Sequence, residues 1–232
     1  MFRFCICIAL VIVNSCATAT PETEKNFESK SLTEETSALS QEVLEDPPVD
    51  IWERIRRSLT IKIPEDQIAA TSVYRERLYK NQSAVNRISK SGQRYLYHTL
   101  TRAEELGLPV ELALLPFVES EFDPYAKSVD GATGIWQFMP ATGKEWGLKS
   151  NWWYDGKKDV LASTEAAFQF LTYLNEKFDG DWLLAMAAYN TGPTRVNRAI
   201  RKNKRLEKGI RFWDLNLPKE TTAYVPKLLV LC

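Results

Sequence analysis

An all-α fold is the expectation from this sequence, on three observations. Beyond Pro64 apolar residues recur at helical spacing, helix start and stop residues bracket those stretches, and strand signals are scarce. Gly92 to Leu106 sets Leu96, Leu100, Ala103 and Leu106 near one face, with Gly107 placed to stop the helix. Pro109 is expected to open the next helix at its first position. Pro116, inside that run, should kink or break it before Glu119, and Asp123–Pro124 should end it. Asp159 is an N-cap candidate for a helix to about Phe178, with Leu161, Phe168, Leu171 and Leu174 on its buried side. Asp181 caps the next, which ends near Asn190 with Gly192 just beyond. There is no internal repeat.

The first residues bear on compartment. Arg3 precedes an apolar run from Phe4 to Val13, too short to span a bilayer but suited to the core of a signal peptide. The run leads into Val13–Asn14–Ser15–Cys16, which resembles a lipobox with Cys16 as the lipidated residue; Asn14 is an unusual choice there. An ordinary secretory signal cleaved nearby is the alternative. Both readings export the protein. Ala17 is not the Asp that commonly marks inner-membrane retention, so the expected location is the outer membrane, facing the periplasm, with the lipid at Cys16 as the membrane contact.

The expected organisation is a signal peptide with lipobox at 1–16, a disordered acidic linker at 17–50, an N-terminal arm at 51–64 and a helical domain at 65–232. The linker is rich in Thr, Ser and Glu and closes at Pro47–Pro48. It holds nine acids against Lys25 and Lys30, a net −7 in a chain of formal charge zero, so with Arg3 in the signal the remainder carries +6. The arm is expected to pack on the domain through Trp52 and Leu59. The helix around Arg195, Arg198, Arg201, Lys202, Lys204 and Arg205 is the basic patch that could draw an anionic polymer, and nucleic acid is not the expected partner of an exported protein.

Chemistry is narrowed by what is scarce. His98 is the single histidine, so triad chemistry on a histidine base is nearly excluded. Cys5 and Cys7 fall in the signal, Cys16 is the lipid candidate and Cys232 is the last residue, which leaves no disulfide pair in the body and no metal-ligand spacing. Neither metal nor cofactor is expected. What stands out is Glu119 at the end of the apolar run Phe117–Val118, followed by Gly131–Ala132–Thr133–Gly134–Ile135–Trp136–Gln137–Phe138–Met139–Pro140. Burial at such a helix end raises a carboxyl pKa and keeps it protonated as a general acid. A glycine-rich turn, with Ser128 before it and Gln137 within it, lets backbone and amide groups approach a sugar closely. Together these suit cleavage of a glycosidic bond.

Glu119–Ser120, Gly134–Ile135–Trp136–Gln137, Ala187–Ala188–Tyr189–Asn190 and Glu220–Thr221–Thr222–Ala223–Tyr224–Val225–Pro226 resemble the four ordered motifs of the soluble lytic transglycosylase (SLT) domain. The resemblance runs from about Pro64 to the last residue. It implies a lysozyme-like catalytic domain that acts on peptidoglycan glycan strands. Glu119 would protonate the bond between N-acetylmuramic acid and N-acetylglucosamine, then take the proton of the C6 hydroxyl of the same muramic acid and close a 1,6-anhydro ring. The family uses the substrate's N-acetyl oxygen in place of a second carboxylate. Glu121, two residues on, lies about 200° round a helix from Glu119, although its charge could act mildly on the acid. Asp123 is read as tying down the turn.

The resemblance further implies that Tyr189 donates its hydroxyl to Glu119, that Asn190 steadies the same helix end, with a contact to substrate left open, and that Ser128 and Gln137 bond the acetamido and hydroxyl groups beside the cleaved bond. Met139 would pack beneath the sugar and Glu220 would bind a neighbouring saccharide; Tyr224 stays open between fold support and ligand contact. Trp136 and Trp152–Trp153 are candidate sugar platforms, whereas Trp146, Trp182 and Trp213 read as core. Relatives continue past Tyr224–Val225–Pro226, so the domain is expected to be cut short at Cys232. Two other functions fit the same residues: a hydrolytic muramidase, which would need Glu121 or Asp123 to position water, and a non-catalytic peptidoglycan-binding lipoprotein.

Overall fold

The computed structural model describes residues 50–231. The expected signal peptide, with Cys16, and the acidic linker up to residue 49 lie outside the described residues. Within them the fold is all-α: ten helices, three short 3₁₀ segments and isolated β-bridges, with no strand. In chain order these are α1 Ile51–Ser58, α2 Ile68–Lys80, α3 Gln82–Gly92, α4 Leu96–Glu105, α5 Leu115–Ser120, α6 Pro140–Glu145, α7 Val160–Lys177, α8 Trp182–Thr191, α9 Pro193–Arg205 and α10 Lys219–Leu229.

The helix at the centre is α8. Five successive residues, Leu184 to Ala188, are buried, so it is enclosed on every side rather than along one stripe. It packs against α7, α9 and α10. Small alanines at 185, 187 and 188 let these neighbours approach closely. Both long core helices start on the expected aspartates: Asp159 accepts from the Ala162 amide and Asp181 from the Leu184 amide, each at 3.0 Å. On α7, Phe168, Leu171 and Leu174 are fully buried but Leu161 is 61% exposed. Leu161 shares their side of the helical wheel, yet the buried stretch of α7 begins only at Ser163.

The helix expected from Gly92 to Leu106 starts later, at Leu96. Gly92 closes α3 and lies so near Phe117 that a Cβ there would fall 2.4 Å from the ring, and the chain turns through residues 93–95 before α4 begins. Gly107 stops α4 as expected, in a left-handed conformation (φ +65°). The Leu108 and Gly107 amides bond back to the Ala103 and Glu104 carbonyls, the pattern of a Schellman motif. Pro109 sits one residue earlier than expected, as the extended cap of a 3₁₀ segment over Val110–Leu114. The break expected from Pro116 falls at the junction of that segment with α5, where Pro116 occupies the first turn and lacks only an amide that needs no partner. The helix ends at Ser120, three residues before Asp123.

The N-terminal arm is α1 followed by extended chain. Trp52 and Leu59 pack against the core, and Ile55, 1% exposed, is its deepest anchor. Glu111, itself buried, accepts from the Thr60 and Ile61 amides at 2.7 and 2.6 Å and pins the strap after α1. Arg54 forks onto Glu104 of α4.

Candidate active site

Glu119 lies in the last turn of α5, whose Leu115, Pro116 and Phe117 are buried. Two successive residues, Glu121 (φ 51°) and Phe122 (φ 60°), then adopt the left-handed conformation, although neither is glycine. Such backbone is sparsely populated and persists only where surroundings hold it. Here Phe122 is buried against Phe117 and its amide bonds to the Pro116 carbonyl at 3.1 Å, while Glu121 pairs with Arg87 at 2.8 Å. The Ser120 hydroxyl donates to the Ile135 carbonyl at 3.0 Å, joining the end of α5 to the glycine turn.

That turn has its own fixed geometry. Gly134 is at φ +84°, and a Cβ on it would lie 1.8 Å from the Lys157 carbonyl oxygen, so no other residue fits. Ile135, Trp136 and Phe138 point inward and anchor the turn. Trp136 is fully buried, with its indole N–H donated to the Thr164 hydroxyl at 3.0 Å. It is core, not a sugar platform. Gln137 between them takes φ 47° and stays half-buried, its amide N–H₂ donating to the Gly134 and Ala126 carbonyls at 2.9 and 3.3 Å.

The hydroxyl expected from Tyr189 comes to the acid from Tyr224, whose role the sequence leaves open. Tyr224, from α10, donates to Glu119 Oε1 at 2.5 Å. Tyr189, at the end of α8, donates instead to the Trp136 carbonyl at 2.8 Å and so fastens α8 to the glycine turn. Both phenols are buried and near the Glu119 charge, which pushes their pKa values well above the ordinary tyrosine value and keeps them as donors. Burial pushes the Glu119 carboxyl up to about 7; the Tyr224 hydrogen bond opposes this and the charge of Glu220 adds to it. The carboxyl is densely surrounded although the residue keeps some exposure at the surface. The neighbour that acts on it is therefore Glu220, not Glu121, whose charge is taken by Arg87 on an exposed face.

Beside this lies a cleft of about 300 Å³ lined by Gln137, Met139, Phe170, Tyr189, Asn190 and Pro193 among others. Met139 is 42% exposed there. Asn190 accepts from the Thr221 hydroxyl at 2.7 Å and ties the end of α8 to α10, the steadying position expected for it. The Ser128 hydroxyl accepts from the Ala132 amide at 3.0 Å and closes the loop that leads into the glycine turn. Asp123 holds the Tyr125 amide at 2.8 Å, a turn-former as read from sequence. Trp152 and Trp153 stack on each other, 78% and 75% exposed, on a loop held by Asn151. Trp146, Trp182 and Trp213 pack on the core as expected. Among the described residues no group of three potential metal ligands comes together.

Comparison with known proteins places this arrangement. The family model described as the transglycosylase SLT domain matches residues 90–212. Membrane-bound lytic murein transglycosylase D of Escherichia coli K12 is 43% identical over 185 residues, which are 80% of this chain and 40% of that protein. Peptidoglycan transglycosylase gp16 of Escherichia phage T7 is 36% identical over 122 residues, covering 51% of this chain and 9% of that protein. Among solved structures, the 70 kDa soluble lytic transglycosylase SLT70 of Escherichia coli aligns with a TM-score of 0.45 and 24% identity, over 53% of this chain and 21% of that one. The chain thus spans less than half the length of these relatives. By the match over residues 90–212, which takes in Glu119, the glycine turn and the end of α8, the chain belongs to the transglycosylase SLT domain family.

Proposed function

We propose that this protein is a peptidoglycan lytic transglycosylase with Glu119 as its single acid and base. The observation that carries the reading is the Glu119 carboxyl, buried, held near pKa 7 and hydrogen-bonded by Tyr224 beside a cleft. A carboxyl of that pKa is half protonated near neutral pH, so one group can give a proton and take one back. Glu119 donates its proton to the leaving O4 of N-acetylglucosamine as the C1–O bond of N-acetylmuramic acid breaks. The N-acetyl oxygen of the same sugar supports the positive charge at C1. The Glu119 carboxylate then accepts the proton of the C6 hydroxyl, and O6 bonds to C1 to leave a 1,6-anhydro end.

In this reading Tyr224 orients the acid, Gln137 and Asn190 meet polar groups of the sugars, Met139 packs beneath a ring, and Glu220 raises the acid's pKa while binding a neighbouring saccharide. Ser128 serves through the loop it closes. A hydrolytic muramidase is the weaker reading, because both acids that could position water are engaged, Glu121 by Arg87 and Asp123 by the Tyr125 amide. The protein would be exported and held at the periplasmic face of the outer membrane by a lipid on Cys16. Mass spectrometry of sacculi digested by the protein is the test: 1,6-anhydro ends support the reading, reducing muramic acid ends replace it with hydrolysis, and undigested sacculi sink both.

A further inference from the structure

The basic side chains of helix α9 are not used by the site described above, which takes only Pro193 from its first turn. It carries Arg195, Arg198, Arg201, Lys202, Lys204 and Arg205 on exposed positions and no acid. The last turn has an ordinary explanation, since cations there complement the helix dipole. The rest does not. Arg195 is in the first turn, where a cation is disfavoured, and spacings of three and four residues pair Arg195 with Arg198, Arg198 with Arg201 and Lys202, Arg201 with Lys204 and Arg205, and Lys202 with Arg205. Like charges at those spacings are each destabilising. Among the described residues none of Arg198, Arg201, Lys202, Lys204 and Arg205 makes an ion pair or a side-chain hydrogen bond; Arg195 bonds only to the Thr191 hydroxyl.

The charge is continuous with the cleft. Pro193 lines both the cleft beside Tyr189 and an adjoining depression with Lys177, Asn197 and Arg201. Arg201 in turn joins a wider one lined by Arg198, Lys204 and Arg205. We propose that α9 docks the carboxylate-bearing stem peptides of the glycan strand whose sugars occupy the cleft. This rests on the peptidoglycan reading above. The stem peptides hang from the muramic acid and carry free carboxylates, the charge complement of this face. Thirteen helical residues span about 20 Å, and four or five extended peptide residues reach about 13–18 Å, so one stem fits along the helix. An anionic lipid surface is the poorer match. A helix that lies on a bilayer exposes an apolar face beside its cations, whereas Val196, Ala199 and Ile200 of α9 are turned into the core.

The test compares glycan strands that keep their stem peptides with strands stripped of them by an amidase, using the wild-type chain and the triple variant Arg198→Gln/Arg201→Gln/Arg205→Gln. The expected wild-type kcat/KM is higher on peptide-bearing strands and falls several-fold between about 0.05 and 0.5 M NaCl. The triple variant should lose about five- to tenfold on peptide-bearing strands at low salt, chiefly in KM, and less than about twofold on stripped strands. Equal losses on both strands, or none on either, overturn the proposal. So does a variant that keeps both rates but no longer sediments with phosphatidylglycerol vesicles that the wild type binds. A wild-type protein that cleaves neither strand refutes the catalytic reading alone. Retention of the Glu119→Gln protein on the two strand types, with and without the triple change, would then still decide the role of α9.

Discussion

Replacing Tyr224 by Phe isolates the one hydrogen bond that reaches the acid. Glu119 sits near pKa 7 as the balance of burial and the Glu220 charge, which favour the protonated form, against the 2.5 Å bond from Tyr224, which favours the carboxylate. A hydrogen bond to a charged group is worth about 1.5–3 kcal/mol, and 1.36 kcal/mol corresponds to one pH unit, so Tyr224→Phe should raise the Glu119 pKa by about 1 unit or somewhat more. The assay is the pH dependence of kcat/KM on isolated glycan strands. Its alkaline limb reports the loss of the acid's proton and should lie near pH 7 in the wild type. In Tyr224→Phe the limb should move to higher pH while the plateau falls by up to about tenfold, because the carboxyl is no longer held in one orientation. Glu220→Gln should move the limb the other way. A limb that stays in place in Tyr224→Phe, or moves down, would refute the electrostatic account of the site. Tyr189→Phe is the control: its hydroxyl serves the Trp136 carbonyl, so the limb should hold and stability should drop by about 1 kcal/mol.

Glu119→Gln should abolish cleavage, a loss of at least 10²–10⁴-fold by the usual contribution of proton transfer, and should also stabilise the fold in a pH-dependent way. The folded carboxyl has a pKa raised from 4.5 to about 7, so protonation favours the native state; that stability is fully present below about pH 4.5 and is lost as pH rises to about 7. The difference amounts to about 3 kcal/mol, so thermal melts should show the Gln variant level with wild type at pH 4 and several degrees above it at pH 8. Gly134→Ala should cost more than about 3 kcal/mol and most activity, read from urea denaturation and strand cleavage, because its Cβ would meet the Lys157 carbonyl. Glu111→Ala should cost about 2–4 kcal/mol by orphaning the Thr60 and Ile61 amides, while Glu111→Gln, which keeps an acceptor, should cost less; urea denaturation of both separates this anchor from a general effect of the buried site.

How far the sequence can be read follows from the range of each interaction. The helix caps at Asp159 and Asp181 and the stop at Gly107 were legible because each is settled within four residues by the backbone's own unsatisfied groups. The pairing of Glu119 was not, because its partner is 105 positions away, and two buried tyrosines on two helices stand equally ready to supply a hydroxyl. Resemblance assigned the task to Tyr189, but the end of α8 meets the glycine turn first, and the Trp136 carbonyl takes that hydroxyl. Helix α10, packed on both α5 and α8, brings Tyr224 to the acid. The same limit explains Glu111, which looks like any helix-start carboxylate until the strap after α1 folds over it. Burial misled at Trp136 for a related reason. A tryptophan in a glycine-rich turn reads as exposed, yet a turn that must hold Gly134 against Lys157 needs anchors, and Ile135, Trp136 and Phe138 supply them, leaving Gln137 to line the cleft. Rigidity of the turn and the place of its one amide side chain in the cleft lining are thus the same fact of packing, which is why substitutions at Gly134 or Trp136 should disturb cleavage without either residue touching a sugar.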